Sequence, residues 1–363
     1  MPFAGRADFA YGNTRLRARR ASLLRASDYE ALADKDLEGL LGSLSSTPYR
    51  SEVEHATAHF SGLRRLHEAL RRHLARVLEE MRSFYGDGAR SLVDVLLSRW
   101  DRQNLILILR GQARGADVDQ ILANVVPIGG LDEAAIQEVA GQDEFGRAVE
   151  LLVSWRLPDP EMAHALARAW PEYARTEDLA ALEQRVIAEH LRRNEETLSR
   201  FGRDAGALVE AVRREVDARN LVTALRLRRS IESEELDPAR AGDADGLFLP
   251  GGTIPPARLD EATLLDAQGA ASMLGQATGD ARWGDTLERW TAEGDLAALE
   301  DDLDREVTRA SIRLFAHGDP LSVAVPVAFV AAKENEVRNL RLLGEGTAHG
   351  VSSEELDLDL MPA

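Results

Sequence analysis

Three acid and asparagine pairs are the residues of this chain whose types and spacing could do chemistry: Asp101 with Asn104, Asp217 with Asn220, and Glu336 with Asn339. Each pair is three residues apart and is followed by leucine. On a helix that spacing puts both side chains on one face, where a carboxylate beside an amide could act as general base or grip a polar substrate. The first copy reads Trp100-Asp101-Arg102-Gln103-Asn104-Leu105 and closes on Leu109-Arg110. The second reads Val216-Asp217-Ala218-Arg219-Asn220-Leu221 and closes on Leu225-Arg226. The third, Asn335-Glu336-Val337-Arg338-Asn339-Leu340, is looser, with Glu336 in place of Asp and Glu345 in place of Arg. Arg110 is nine residues from Asp101, roughly 180° around a helix, so acid and arginine cannot pair within one element. A catalytic site rarely needs three copies in one chain, and buried polar groups require partners. The motif is therefore read as structural, its side chains expected to bond to neighbouring helices and fix how they cross.

Other candidate chemistry is weaker. His55 and His59 are four apart and could share a metal, but Ala56 stands where a zinc-protease helix needs glutamate. His67, His73, His164, His190, His317 and His349 have no ligand spacing. The stretch from Gly344 to Gly350 lacks the Lys-Ser or Lys-Thr of a phosphate loop and reads as a helix-ending turn. There is no Gly-x-Ser-x-Gly elbow. With no cysteine, disulfides, thiolate metal sites and cysteine nucleophiles are excluded. No catalytic, cofactor-binding or metal residue is assigned. Arg15, Arg17, Arg19, Arg20 and Arg25 form a basic run, read either as a patch for lipid headgroups or an acidic partner, or, preferentially, as a solvated helix face pairing with Asp28, Glu30 and Asp34.

The elements that must position the motif read as helices. Phe60, Leu63, Leu66, Leu70, Leu74, Val77 and Met81 draw one apolar stripe, with Arg64, Arg65, Arg71, Arg72, Glu79 and Glu80 on the other face. The counterparts of this long helix open on a literal repeat, Leu-Ala-Ala-Leu-Glu at Leu179–Glu183 and at Leu296–Glu300. A further echo, Ser-Glu-Glu-Leu, recurs from Ser233 and from Ser353. Pro127-Ile128-Gly129-Gly130 and Pro250-Gly251-Gly252 mark turns between modules. Short helical segments are expected over Asp28–Tyr49, Asp132–Trp155 and Leu259–Trp283, an exposed loop over Asp237–Gly246, and fraying over Glu354–Asp359. No convincing strand is found; Val323-Ala324-Val325-Pro326-Val327 is broken by proline.

The asparagines lie 116 and 119 residues apart, far beyond the unit length of solenoids. In 363 residues this predicts an all-α protein of three similar helical modules, 1–125, 126–250 and 251–363, around an approximate threefold axis. A net charge of −18 argues against nucleic acid as a partner. The longest uncharged runs are thirteen residues, too short to span a bilayer, and the opening residues do not resemble a signal peptide.

Taken together, the chain resembles the C subunit of the V-type and archaeal-type rotary ATP synthases, whose eukaryotic counterpart is called the d subunit. The residues behind the resemblance are Tyr11-Gly12-Asn13-Thr14-Arg15-Leu16-Arg17-Ala18-Arg19, Leu23-Leu24, Asp28-Tyr29, Leu40–Tyr49, the Asp101/Asn104/Leu105/Arg110 motif with its second copy, both Pro-Gly-Gly turns, and Glu334–Arg341. The resemblance implies an all-helical funnel with pseudo-threefold symmetry. It implies a socket between the proteolipid rotor ring and a central shaft made of the D and F subunits, at the cytoplasmic face of the membrane, touching the membrane only through the ring. It further implies rotation with both partners, transmission of torque for ion transport coupled to ATP synthesis or hydrolysis, and no active site or cofactor. A helical repeat scaffold binding soluble proteins remains the competing reading.

Overall fold

The computed structural model describes residues 7–234, 247–351 and 360–361, and these are helical with no strand. The loop expected over Asp237–Gly246, the acidic end over Glu354–Asp359, half of the first Ser-Glu-Glu-Leu echo and all of the second lie outside the described residues. The chain divides into two compact units, residues 1–168 with 312–363, and residues 169–311. The repeat boundaries at 125/126 and 250/251 fall inside these units.

Helix order recurs along the chain. After α1 (Ala10–Arg20) come α2 (Ala26–Ala33), α3 (Leu37–Leu44), α4 (Arg50–His59), α5 (Leu63–Arg82) and α6 (Asp87–Ala113). A short α7 (Val118–Leu122) leads to α8 (Glu133–Ala140), α9 (Phe145–Trp155), α10 (Pro160–Thr176), α11 (Leu179–Ser199) and, beyond a 3₁₀ turn, α12 (Gly206–Glu232). The last set is α13 (Pro256–Thr263), α14 (Ala267–Thr278), α15 (Ala281–Glu293), α16 (Leu296–Ile312), a single turn α17 (Leu314–His317) and α18 (Ala324–His349). Each set runs from helices of two or three turns to a closing helix of seven turns, and each closing helix carries one copy of the motif.

Local chemistry explains these boundaries. The Leu-Ala-Ala-Leu-Glu repeats open α11 and α16, and an aspartate precedes each: Asp178 accepts from the Ala181 N–H, and Asp295 from those of Ala297 and Ala298. The three segments expected to be single short helices each break into shorter ones. Asp36 caps α3 through the Gly39 N–H at 2.8 Å, Asp132 caps α8 through that of Ala135, and Asp266 caps α14 through that of Gly269. Asp36 and Asp266 lie inside their apolar-periodic stretches and start new helices there, which period counting alone does not detect, whereas Asp132 opens its segment and α9 begins at Glu144 without a side-chain cap.

Three further expectations are corrected. The long helix begins at Leu63 and not Phe60, because Gly62 sits at φ +56° and turns the chain. Arg71, expected on the solvent face of α5, is buried, with Glu68 held at 2.9 Å; His73 is buried too. Likewise only Gly350, at φ +71°, ends α18, whereas Gly344 lies inside that helix. A Cβ on Gly344 would come 2.1 Å from Leu66 Cδ2, so the glycine lets α18 lie directly on α5.

The motif helices pack forward onto the next set. Helix α6 packs on α8 and α9, α12 on α13 and α14, and α18 on α2, α3 and α5. In the second unit, Leu221, Val222 and Leu225 of α12 join Leu259, Leu274, Trp283, Leu287 and Leu303 in one buried apolar cluster. Across α6, α12 and α18, then, the apolar side of the motif seals a core built mostly from other elements, while its polar side is left to meet loops.

Candidate functional site

Each motif asparagine grips one backbone residue with both ends of its amide. Asn104 donates to the Val126 carbonyl at 2.6 Å and accepts from the Val126 N–H at 2.9 Å. Asn220 does the same to Leu249, at 2.9 and 2.8 Å, and Asn339 to Met361, at 3.0 and 3.3 Å. A primary amide matches a peptide unit in donor and acceptor spacing, so one side chain satisfies a loop residue that no helix or sheet serves. All three asparagines are buried. Sequence reasoning missed these partners, yet a signal exists. Val126, Leu249 and Met361 each precede a proline, and the residue before proline is held extended, with its polar groups free for such a grip.

The motif acids hold the N–H groups just ahead of the next set of helices. Asp101 accepts from Gly130 and Leu131 at 2.9 and 3.2 Å. Asp217 accepts from Thr253 N at 2.8 Å, Thr253 Oγ1 at 2.5 Å and Ile254 N at 3.1 Å. Glu336 accepts from Leu24 N at 2.6 Å. Leu131, Ile254 and Leu24 are equivalent: each stands immediately before the cap residue of α8, α13 or α2. These bonds run to loop backbone and not, as expected from the sequence, to helices crossing the motif. The paired glycines now have a reason. A Cβ on Gly129 would lie 2.3 Å from Asp101 Oδ2, and one on Gly252 2.3 Å from Asp217 Oδ1. Burial pushes the Asp101 carboxyl up to about 7, against the two N–H groups that favour its charged form.

Around Glu336 the third copy builds a larger buried network. The Tyr49 hydroxyl donates to Glu336 Oε1 at 2.6 Å, and the ammonium of Lys333, one turn earlier, bonds both Glu336 and the Tyr49 oxygen. Lys333, Glu336 and Tyr49 are all at most 3% exposed. Burial holds Lys333 below the usual ammonium range, with Glu336 opposing; burial and Glu336 push the Tyr49 hydroxyl up. The His73 ring stacks on Tyr49 at 3.8 Å, and Glu52 lies 3.2 Å from His73 Nδ1 and 2.6 Å from Arg76 Nε. Burial, reinforced by the nearby Lys333 charge, depresses the His73 pKa. Burial of Glu52 acts in the opposite sense to the bonds from Arg76 and His73, which hold it below the usual carboxylate range.

At the far end of the motif the charges reverse. Arg226 reaches Glu300, the fifth residue of α16. Glu345, in the arginine position of the third copy, lies 3.0 Å from Nε2 of His67, the fifth residue of α5. Motif residue and partner are thus exchanged together. Arg110 is exposed at the last turn of α6.

Groups with other chemistry are dispersed. The His55 and His59 rings stack at 4.5 Å, and among the described residues no three or more His, Asp or Glu are arranged to hold a metal. Among the described residues no helix is long and apolar enough to cross a membrane. The five arginines near the start do not pair with Asp28, Glu30 or Asp34. Arg19 pairs with Glu80, Arg15 lies 4.3 Å over the Phe84 ring, and Asp28 instead accepts from the Arg25 backbone N–H.

Comparison with known proteins adds the relationship. A family model described as ATP synthase (C/AC39) subunit matches residues 12–357. The chain is 30% identical to the C subunit of the V-type ATP synthase of Thermus thermophilus over 98% of both chains. It is 29% identical to the C subunit of the V-type ATP synthase of Deinococcus radiodurans over 96% of this chain and 90% of that one. It is 27% identical to the C subunit of the A-type ATP synthase of Halorubrum lacusprofundi over 99% of both.

Proposed function

The chain belongs to the ATP synthase (C/AC39) subunit family, and from that premise we propose that it is the non-catalytic socket of a V/A-type rotary ATPase, seated between the proteolipid ring and a central shaft of the D and F subunits. It turns with both and passes torque between them, coupling ion transport to ATP synthesis or hydrolysis at the cytoplasmic face of the membrane. The observation that carries this reading is the set of equivalent bonds made by the motif acids. The first copy holds the start of the second helix set through Leu131, the second holds the third through Ile254, and the third holds the first through Leu24. Three equivalent links, one per copy of the motif, support modules 1–125, 126–250 and 251–363 as repeats of one design. A body that transmits torque must resist shear between its parts, and side-chain bonds that tie a motif helix to the start of the next set favour that stiffness.

Charge supports the same placement. Ring loops facing the cytoplasm tend to be basic, and a chain of net charge −18 is attracted to them and oriented by them. The motif residues Asp101, Asn104, Arg110, Asp217, Asn220, Arg226, Glu336 and Asn339 then act as joints of the socket and not as catalysts.

A tagged copy of the chain expressed in its host and purified from detergent-solubilised membranes is expected to bring down ring and shaft components together. The same membranes lacking the chain are expected to retain head-group ATP hydrolysis without ion pumping. Recovery of neither partner, or unimpaired pumping without the chain, would overturn the proposal.

A further inference from the structure

A cavity of about 340 Å³ in the first unit is lined by Arg17, Arg20 and Arg25 together with Leu23, Leu24 and Phe315. Arg17 and Arg20, three apart in the last turn of α1, share a face, and Arg25 immediately precedes α2. Arg15 and Arg19, on the other side of α1, are engaged by Tyr11, Phe84 and Glu80, which leaves the cavity to the remaining three. The Arg20 guanidinium lies 4.6 Å over the Phe315 ring, which fixes it along the wall. Among the described residues none of the three guanidinium groups meets a carboxylate.

That is unusual for this composition. Carboxylates outnumber basic side chains by 62 to 44, so arginine on this chain has ample choice of partners. Two acids bonded to backbone N–H groups beside the cavity are already occupied. Glu336, behind Leu24, serves Leu24, Tyr49 and Lys333, and Asp28 caps α2. The backbone N–H groups of the α1–α2 turn are spent too, Leu23 on the Arg20 carbonyl and Leu24 on Glu336. Three like charges around one hollow repel each other, and an anion between them removes that repulsion while adding charge-assisted bonds.

We propose that the hollow ringed by Arg17, Arg20 and Arg25 binds a phosphate group, held by the guanidinium forks, with the remainder of the ligand against Leu23 and Phe315. Guanidinium matches phosphate oxygens two at a time, and three forks suit a tetrahedral anion better than a flat carboxylate. A hollow of this volume exceeds one phosphate and falls at the small end of ligand pockets, roughly 300–1,000 Å³, so an ester or hydrocarbon arm has room on the apolar wall. The phosphate comes either from a soluble phosphate ester or from a lipid headgroup. The site draws its walls from α1, α17 and α18, and an occupant therefore ties the start of the chain to the third motif helix. This inference does not depend on the rotor reading.

Two probes on the full-length protein distinguish the sources: calorimetric titration with sodium pyrophosphate, and flotation with phosphatidylcholine vesicles with and without phosphatidylglycerol. Saturable binding is expected in at least one, with a raised melting temperature when pyrophosphate binds. Pyrophosphate binding assigns a soluble phosphate, and flotation with only the anionic vesicles assigns a headgroup. The variant R17Q/R20Q/R25Q is expected to bind at least about tenfold more weakly. The control R50Q/R192Q/R258Q removes equal charge from exposed arginines paired elsewhere and is expected to stay within about twofold of wild type. Binding to neither probe, or equal loss in both triple variants, overturns the site. The exposed single variant R25E, which puts a carboxylate at the mouth, must also abolish binding and answers the question should the triple variant not fold.

Discussion

The junction built by α12 and the one built by α18 use the same motif under different constraints. Asp217 takes all its donors from Thr253 and Ile254, 36 and 37 residues further along the chain. Glu336 takes its donors from three places: Leu24, 312 residues upstream, Tyr49, and Lys333 on its own helix. The first junction is partly held by chain connectivity. The second joins the beginning of the chain to its end, so side chains alone must oppose the entropy of bringing distant segments together. The longer Glu reaches a loop whose residue equivalent to Gly252 is Ser22, with a Cβ of its own. Where covalent continuity is missing, a buried charged network takes its place.

That contrast can be broken by experiment. Glu336→Ala strands the Lys333 ammonium in the interior and is expected to cost about 3–5 kcal/mol by chemical denaturation. Asp217→Ala leaves only neutral donors unpaired, about 1–3 kcal/mol. Equal losses at the two sites would erase the distinction. Replacing the whole ion pair sharpens it, because Lys333→Met with Glu336→Leu leaves no isolated charge. The double variant is expected to be more stable than Glu336→Ala alone.

Gly252→Ala drives a methyl onto Asp217 and is expected to lower stability by about 1–3 kcal/mol, whereas Ser22→Ala at the matching place in the other junction changes it by less than about 0.5 kcal/mol. A Gly252→Ala protein as stable as wild type would show that the acid does not need to lie on bare backbone there.

His73 gives the α18 junction a pH dependence. Its folded pKa is depressed below the unfolded value near 6.5, so as pH falls through that value the unfolded chain takes up a proton that the folded one refuses. Stability is then complete above about pH 6.5 and declines below it, by at most about 1.4 kcal/mol per pH unit from this group. Thermal melts at pH 7 and pH 5 are expected to differ less in His73→Gln than in wild type; an unchanged difference would exclude the imidazole as its source. Smallest of all, Arg226→Ala removes a half-exposed pair with Glu300 and is expected to cost less than about 0.5 kcal/mol in the same denaturation assay.

Much of this was legible along the chain. Periodicity located the long helices, and the triplicated Asp/Glu-x-x-Asn-Leu motif picked out the side chains that hold loops in both units. Val126-Pro127 and Leu249-Pro250, each with paired glycines close behind, contained the partners of Asn104 and Asn220, whereas the matching Met361-Pro362 carried no such mark. The basic run was visible as well, though not which of its arginines would meet no carboxylate among the described residues.

Sequence by itself determined helix content, the threefold recurrence and the residue types at each joint, because these follow from local period, capping and spacing, which act over a few residues. Only tertiary structure decided that the acids reach forward to the next set of helices and that Glu336 reaches back to Leu24. It alone buried Lys333, His73 and Arg71 and left Arg17, Arg20 and Arg25 around a hollow. Those outcomes depend on which surfaces meet across hundreds of residues, and the free energy of burying or pairing a charge is set by neighbours that the linear order does not contain.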